Sequence, residues 1–184
     1  MKGDPASARS TLGPLALVLG LVAGFAILPR VFRSHGAAGP GRDAPDFTLS
    51  VVANAASLAG GKPTLSLSEL RGRAVLLDFW ATWCEPCRLQ APIVEQIARR
   101  WSDRGVVVVG VNTDTPGEGD PRTFASAWGL TYPVVKDEVG LASRAYGVEA
   151  LPTLVVVSRL GKIIAVRAGV TDDAELERLV RQAL

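Results

Sequence analysis

The sequence predicts an α/β layer fold built on a mixed sheet. Three observations carry this. Candidate strands and helices alternate along most of the chain. Two strand candidates, Ala74–Ala81 (AVLLDFWA) and Val106–Val111, are near-continuous apolar runs of the kind buried on both sheet faces. The chain then closes with a hairpin pattern and a terminal helix.

Ala44–Val52 alternates at Phe47, Leu49 and Val51 and predicts a leading strand. Lys62–Leu67 suggests a second short strand, and Ser68-Glu69-Leu70 a single turn. After the buried run at Ala74–Ala81, Pro86–Trp101 predicts a helix. Its apolar positions Leu89, Ile93, Ile97 and Trp101 recur every four residues, widened by Val94 and Ala98. Thr113–Arg122 is polar and rich in Gly and Pro, hence a loop. Thr123–Trp128 predicts a helix, Tyr132–Val135 a short strand, and Val139–Tyr146 a helix closed by Gly147. Thr153–Ser158 and Ile163–Ala168 flank a turn at Arg159–Lys162 and predict a hairpin. Asp172–Leu184 predicts the last helix, with Asp172 or Thr171 as cap and Arg178 and Arg181 near its end.

Composition narrows the function classes. The formal net charge is +2 over 184 residues, but Lys2, Arg9, Arg30 and Arg33 stand against Asp4 alone in the first 33. The remainder is close to neutral and carries no basic stripe, which argues against nucleic-acid partners. Two cysteines cannot make a disulfide framework. The single histidine, His35, lies before any predicted element.

Leu12–Leu28 (LGPLALVLGLVAGFAIL) carries no charge. As a helix it would reach about 25 Å, against a hydrocarbon core of about 30 Å, with flanking arginines snorkelling to the interface. The expected organisation is a cytoplasmic stretch over 1–11, a transmembrane signal anchor over 12–28, a Gly/Pro-rich linker over 29–42 and one domain over 43–184. The competing reading is a signal peptide cut near Gly36-Ala37-Ala38; Arg30 and Arg33 lie where a cleavage region is normally neutral. The two cysteines, Cys84 and Cys87, stand with two residues between them, and a redox pair of this kind needs a compartment without the cytosolic thiol pool, so the domain is expected outside the cytoplasm on a single-pass tether.

The chemistry centres on Cys84-Glu85-Pro86-Cys87. A buried strand runs into Thr82-Trp83-Cys84, and a helix is expected from about Glu85. Cys84 at that helix N-terminus would have its thiolate stabilised by unpaired N–H groups and the helix dipole. The thiolate is the attacking species in disulfide exchange. Cys87, one turn deeper on the same face, is placed to attack a mixed disulfide at Cys84. Pro86 suits the first turn, where its missing N–H costs nothing. Glu85 is either a first-turn acid favoured by the dipole, or a charge that disfavours the thiolate and makes the pair more reducing.

The run Leu76-Leu77-Asp78-Phe79-Trp80-Ala81-Thr82-Trp83-Cys84-Glu85-Pro86-Cys87, with Ala91-Pro92-Ile93 in the helix, resembles the active-site segment of the thioredoxin superfamily. Tyr146-Gly147-Val148-Glu149-Ala150-Leu151-Pro152-Thr153 resembles its second signature. An insertion near Pro116–Lys136, the extra leading strands and the anchor look like the membrane-tethered branch that includes cytochrome c maturation reductases. The resemblance spans roughly Asp43–Leu184. It implies a thioredoxin-like three-layer α/β/α sandwich with mixed sheet, an N-terminal strand extension and a central insertion. It also implies thiol–disulfide oxidoreductase activity without a cofactor.

By this resemblance Cys84 and Cys87 are catalytic, and Asp78 lies beneath Cys87 as a buried carboxylate that takes its proton, with burial raising its pKa. Pro152 faces the dithiol across a cis bond, the Leu151 backbone pairs with a substrate strand, and Trp83 covers the disulfide. Trp83, Glu85, Pro86, Leu151 and Pro152 make up the expected substrate-binding rim. The implied partners are protein thiol or disulfide substrates, a transmembrane electron-carrier protein as thiol donor, and the membrane through the N-terminal helix. One departure stands out: cytochrome c maturation reductases often carry an acid three residues after the second cysteine, where this chain has Gln90, and many lack an acid at the Asp78 position. Proton handling is therefore expected to follow plain thioredoxin.

Other chemistries fit less well. Zinc needs about four ligands, and two cysteines with one distant histidine fall short. A c-type haem attachment would need histidine where Arg88 stands. Copper(I) on the dithiol is compatible with soft thiolate ligands, so a copper or haem-apoprotein chaperone stays open beside an oxidase or isomerase. A peroxidase would carry threonine three residues before its cysteine; Thr82 is two before Cys84.

Overall fold

The computed structural model describes residues 38–184, Ala59 excepted. The expected anchor at 12–28, its flank at 1–11 and most of the linker lie outside the described residues. Among the described residues, no helix is long and apolar enough to cross a membrane.

Seven strands form one mixed sheet: β1 (Thr48–Ala53), β2 (Thr64–Ser66), β3 (Ala74–Trp80), β4 (Val106–Asn112), β5 (Val134–Lys136), β6 (Thr153–Val157) and β7 (Ile163–Ala168). Their order is β2-β1-β5-β4-β3-β6-β7. The β5-β4-β3 core is parallel, and β1, β2, β6 and β7 are added antiparallel. Every residue of β3 and β4 is buried. That is why the two apolar runs show no alternation: these strands are covered on both faces.

Among the described residues four α-helices flank the sheet: α1 (Glu85–Trp101), α2 (Pro121–Ala127), α3 (Leu141–Tyr146) and α4 (Asp173–Ala183). Strand alternation sends Leu76 and Trp80 to one side, where Val94 and Ile97 of α1 and Leu176 and Val180 of α4 meet them. Val75, Leu77 and Phe79 point the other way, onto Tyr146 of α3 and a cover of Phe47, Leu65, Leu67 and Leu70. Each fully buried aliphatic side chain in these two layers contributes about 1.5–3 kcal/mol. The three layers, the leading strands and the inserted α2–β5 segment agree with the fold the sequence predicts.

Several boundaries differ for local reasons. The Asp120 side chain accepts from Arg122 N–H (3.2 Å) with Pro121 in the first turn, so α2 starts two residues before the expected Thr123. The leading strand begins at Thr48, because Ala44 N–H is already bound to Gly161 O (2.9 Å) in an irregular strap. The end of the predicted linker is not free. Gly41 N–H donates to Ile163 O (2.8 Å), and Ile163 N–H donates to Arg42 O (2.9 Å), adding a short pairing beside β7.

The larger correction concerns α1. Its buried face is Cys87, Gln90, Ala91, Val94, Glu95, Ile97 and Trp101, whereas Leu89 is 64% exposed. The predicted apolar face otherwise holds, with Val94, Ile97 and Trp101 buried and Ile93 and Ala98 packed against the core; it is completed by two polar residues that have dedicated partners. The Gln90 amide donates to Thr171 O (3.2 Å) and accepts from Thr171 N–H (2.7 Å). Glu95 accepts from Thr131 N–H (2.9 Å) and Thr131 Oγ1 (2.8 Å). A satisfied amide or carboxylate can occupy a core position that hydropathy alone assigns to leucine.

Candidate active site

Three chain segments meet at one end of the sheet. β3 ends at Trp80 and turns through Ala81-Thr82-Trp83 into α1. β4, paired with β3 from Ala74↔Val106 to Trp80↔Asn112, ends beside it. β6 runs antiparallel to β3 with Phe79 opposite Thr153, so the residues just before Thr153 arrive at the same turn. That register brings Leu151-Pro152 and the dithiol segment to one pole.

Cys84 is the N-cap of α1 and forms a disulfide with Cys87. Cys87 N–H donates to Cys84 Sγ (3.2 Å). An N-cap side chain receives one of the otherwise unpaired first-turn N–H groups. Here that acceptor is sulfur, and the same donor would stabilise a thiolate on it. Both cysteines are buried, Cys84 at 3% exposure, while the preceding Trp83 is 64% exposed. Pro86 lies in the first turn as expected. Glu85 projects outward and pairs with Arg88 across one turn (3.4 Å).

Asp78 lies on β3 between Leu77 and Phe79, which face α3, so alternation points it toward the α1 side with Leu76 and Trp80. It is fully enclosed, and burial raises its pKa to about 7. The Tyr132 hydroxyl opposes that rise by donating to Asp78 Oδ2 (3.2 Å), while Oδ1 has no partner. A carboxyl group balanced near neutrality can exchange a proton with a thiol.

The Leu151–Pro152 bond is cis. Gly169 N–H donates to Pro152 O (2.8 Å), which ties this loop to the segment leading to Thr171 and Gln90. Leu151 is half-buried. With Trp83, Val139, Val148 and Ala150 it lines a groove of about 440 Å³. Trp83, expected over the disulfide, is exposed beside the buried cysteines and also lines this groove.

Sequence reasoning missed two contributors. Tyr132, read only as strand, is among the described residues the one hydrogen-bond partner of the Asp78 carboxylate. Asp114, read as loop, is fully buried and accepts Thr82 N–H at Oδ1 (3.0 Å). The signal for Asp114 was available: an acid three residues past the apolar run Val106–Val111 lies close to the sheet end. Nothing in the pattern marked Tyr132. Among the described residues, no cluster of three or more His, Cys, Asp or Glu could hold a metal.

The comparisons match this geometry. A model of the AhpC/TSA family matches residues 40–166. The thiol-disulfide oxidoreductase ResA of Geobacillus thermodenitrificans is 32% identical over 171 residues, covering 92% of this chain and 93% of that one. The thioredoxin-like protein YneN of Bacillus subtilis is 34% identical over 139 residues, covering 75% and 76%. A crystal structure provisionally assigned as thiol:disulfide interchange protein DsbE of Chlorobium tepidum superposes with a TM-score of 0.71 at 32% identity, covering 80% of this chain and 99% of that one. The chain thus belongs to the AhpC/TSA family, and within it is a thiol–disulfide oxidoreductase of the ResA/DsbE type whose C-x-x-C pair is Cys84 and Cys87.

Proposed function

We propose that the protein is a membrane-anchored dithiol reductase that reduces protein disulfides outside the cytoplasm. The observation that carries this reading is the pairing of a helix-capping Cys84, which receives Cys87 N–H, with an Asp78 carboxyl raised to about 7 by burial. In the reduced pair the Cys84 thiolate attacks one sulfur of a substrate disulfide. That S–S bond breaks, a mixed disulfide forms and the first substrate thiolate leaves. Asp78 takes the Cys87 proton, and the Cys87 thiolate attacks Cys84 Sγ. The intramolecular disulfide closes, the second substrate thiol is released, and two electrons have passed to the substrate.

Trp83, Glu85, Pro86, Leu151 and Pro152 form the rim against which the substrate chain lies, with the Leu151 backbone available for strand addition. A transmembrane electron carrier supplies the thiols that reopen the disulfide, and the apolar segment at 12–28 holds the domain at the membrane. The resemblance to cytochrome c maturation reductases favours that pathway as the setting. Gln90, where reductases of that pathway often carry an acid, weighs against it.

The experiment is substrate trapping in the full-length protein. Cys87→Ser accumulates mixed disulfides mapped to Cys84, and Cys84→Ser accumulates none; adducts on Cys87 would reverse the assigned roles. The reduction potential tests direction. A value near that of a strong oxidant, about −120 mV, would make the protein an oxidase or isomerase instead. Copper retained on purification, with no turnover of disulfides, would favour the chaperone reading.

A further inference from the structure

Four acids are buried among the described residues: Asp78, Glu95, Asp114 and Asp137. Three have evident tasks. Asp78 faces the dithiol side of the sheet, Glu95 binds Arg99 and Thr131, and Asp137 caps the start of α3 through Ala142 N–H and Ser143 N–H. Asp114 has no ion-pair partner among the described residues, and its contacts reach the turn that carries the cysteines.

We propose that Asp114 is a positioning residue that sets the redox equilibrium of the Cys84–Cys87 pair, by fixing the Thr82-Trp83-Cys84 turn and by standing beside it as an unneutralised buried charge.

Thr82 N–H is shared between Asp114 Oδ1 (3.0 Å) and Oδ2 (3.2 Å), and Asn112 Nδ2 donates to Oδ2 (2.8 Å). Both oxygens act as acceptors, as an ionised carboxylate requires. Thr113 N–H donates to Trp80 O (2.9 Å), so the ends of β4 and β3 are stitched together just before the turn. The loop after Asp114 then folds back onto the same residue. A Cβ on Gly119 would lie 2.5 Å from Thr82 Oγ1, so only glycine lets the backbone come this close. Thr82 is gripped on its main chain by Asp114 and on its side chain by Gly119, two residues before Cys84.

The charge has a definite sign of effect. Two residues of chain span at most about 7 Å, and with the hydrogen bond and the cysteine side chain added the carboxylate lies within roughly 14 Å of the Cys84 sulfur. A like charge disfavours the thiolate. Only the reduced pair carries a thiolate, so Asp114 favours the disulfide and makes the dithiol a stronger reductant. With an effective dielectric constant of about 20, one charge at that range alters thiol ionisation by about tenfold. The other charges at this pole are weaker or constant. Glu85 is exposed and paired with Arg88, and Asp78 is the same in wild type and variant. The sequence left Glu85 open between a dipole-favoured first-turn acid and a source of reducing bias; a solvent-screened, paired acid is the poorer source.

This inference depends on the exchange chemistry and not on the direction of electron flow. The wild-type potential tests direction, whereas the difference between variants tests Asp114. Asp114→Asn keeps an acceptor for Thr82 N–H and removes the charge. In the reduced full-length protein it should lower the Cys84 thiol pKa by about one unit, read by thiolate absorbance or alkylation rate. At a pH where Cys84 is ionised, the equilibrium with glutathione should move about tenfold toward the dithiol, equivalent to about 30 mV. Asp114→Ser, whose hydroxyl can also accept from Thr82 N–H, serves if the asparagine variant does not fold. A folded variant whose Cys84 titrates as wild type, or shifts upward, overturns the proposal.

Discussion

The Tyr132 hydroxyl donates a hydrogen bond to Asp78 Oδ2 across 3.2 Å, joining the inserted segment before β5 to the buried acid of β3. Within this enclosure the hydroxyl favours the ionised carboxylate, and burial opposes it more strongly. Tyr132→Phe removes the one group that lowers the Asp78 pKa and leaves the ring in place. The Asp78 pKa should then rise above its value of about 7. The step in which Cys87 displaces the substrate should shift its pH profile to higher pH, while attack by Cys84 keeps its own. Rapid-mixing kinetics that separate the two steps check this. An unmoved release profile would detach Asp78 from proton transfer.

The same burial makes stability depend on pH. Burial raises the Asp78 pKa from the ordinary carboxyl value of 3.8 to about 7 in the folded protein. Its protonated form is therefore the one the fold favours. Below the unfolded value both states are protonated, and the group contributes no penalty. Between about 4 and 7 only the unfolded chain ionises, so stability falls as pH rises, and above 7 the loss levels off. The shift corresponds to about 4 kcal/mol. Asp78→Asn, neutral at every pH, should be more stable than wild type at pH 8 by an amount of this order and nearly equal to it at pH 4. Denaturant unfolding of the oxidised proteins at the two pH values measures the difference.

Gln90 is a polar core residue held by two hydrogen bonds to the backbone of one residue. Its amide pairs with both backbone groups of Thr171, and the chain continues from Thr171 into the Asp172 cap of α4. Gln90→Ala orphans a buried N–H and a buried C=O and should cost about 2–4 kcal/mol, a fall in Tm of roughly 5–10 °C. Gln90→Glu is more informative. One oxygen can still accept Thr171 N–H, but the other then faces Thr171 O and needs a proton to bond it. The variant should lose stability relative to wild type as pH rises from 5 to 8. Equal losses at both pH values would show that the amide's donor contact carries no weight.

The strands were the most legible part of the sequence. Val-rich β4 and the AVLLDFW run of β3 have too little polarity to lie anywhere but a doubly covered sheet, and Cys84 was placed at its helix terminus by the strand that feeds it. What the pattern could not supply was long-range pairing. Tyr132 reaches Asp78 across 54 positions and Asp114 reaches Thr82 across 32; local periodicity carries no record of either. The stripe on α1 was incomplete for the same reason, because Gln90 is satisfied by Thr171, 81 positions away. Apolar periodicity detects residues that only need to leave water. Buried polar residues also need a partner, and that partner's position is a property of the fold.

Gly119 gives the most direct test of how tightly the dithiol turn is held. Its Cα lies so close to Thr82 that an added Cβ would be 2.5 Å from Oγ1 and 2.8 Å from the Thr82 Cβ. The second contact is with the root of a β-branched side chain, which cannot swing aside. Gly119→Ala must therefore push the loop between β4 and α2 off Thr82, or displace Thr82 and with it the approach to Cys84. The strain should cost about 1–3 kcal/mol. Gly117→Ala is the control: its positive φ makes alanine strained there too, yet nothing lies within 4 Å of its Cβ. Gly117→Ala should lose stability but exchange disulfides at the wild-type rate. Gly119→Ala should lose both stability and rate, because the residues it displaces lead directly to the attacking sulfur. Comparing the two variants in unfolding and in single-turnover reduction separates strain in the loop from displacement of the site. Wild-type exchange in Gly119→Ala would show that the turn keeps its geometry without this contact.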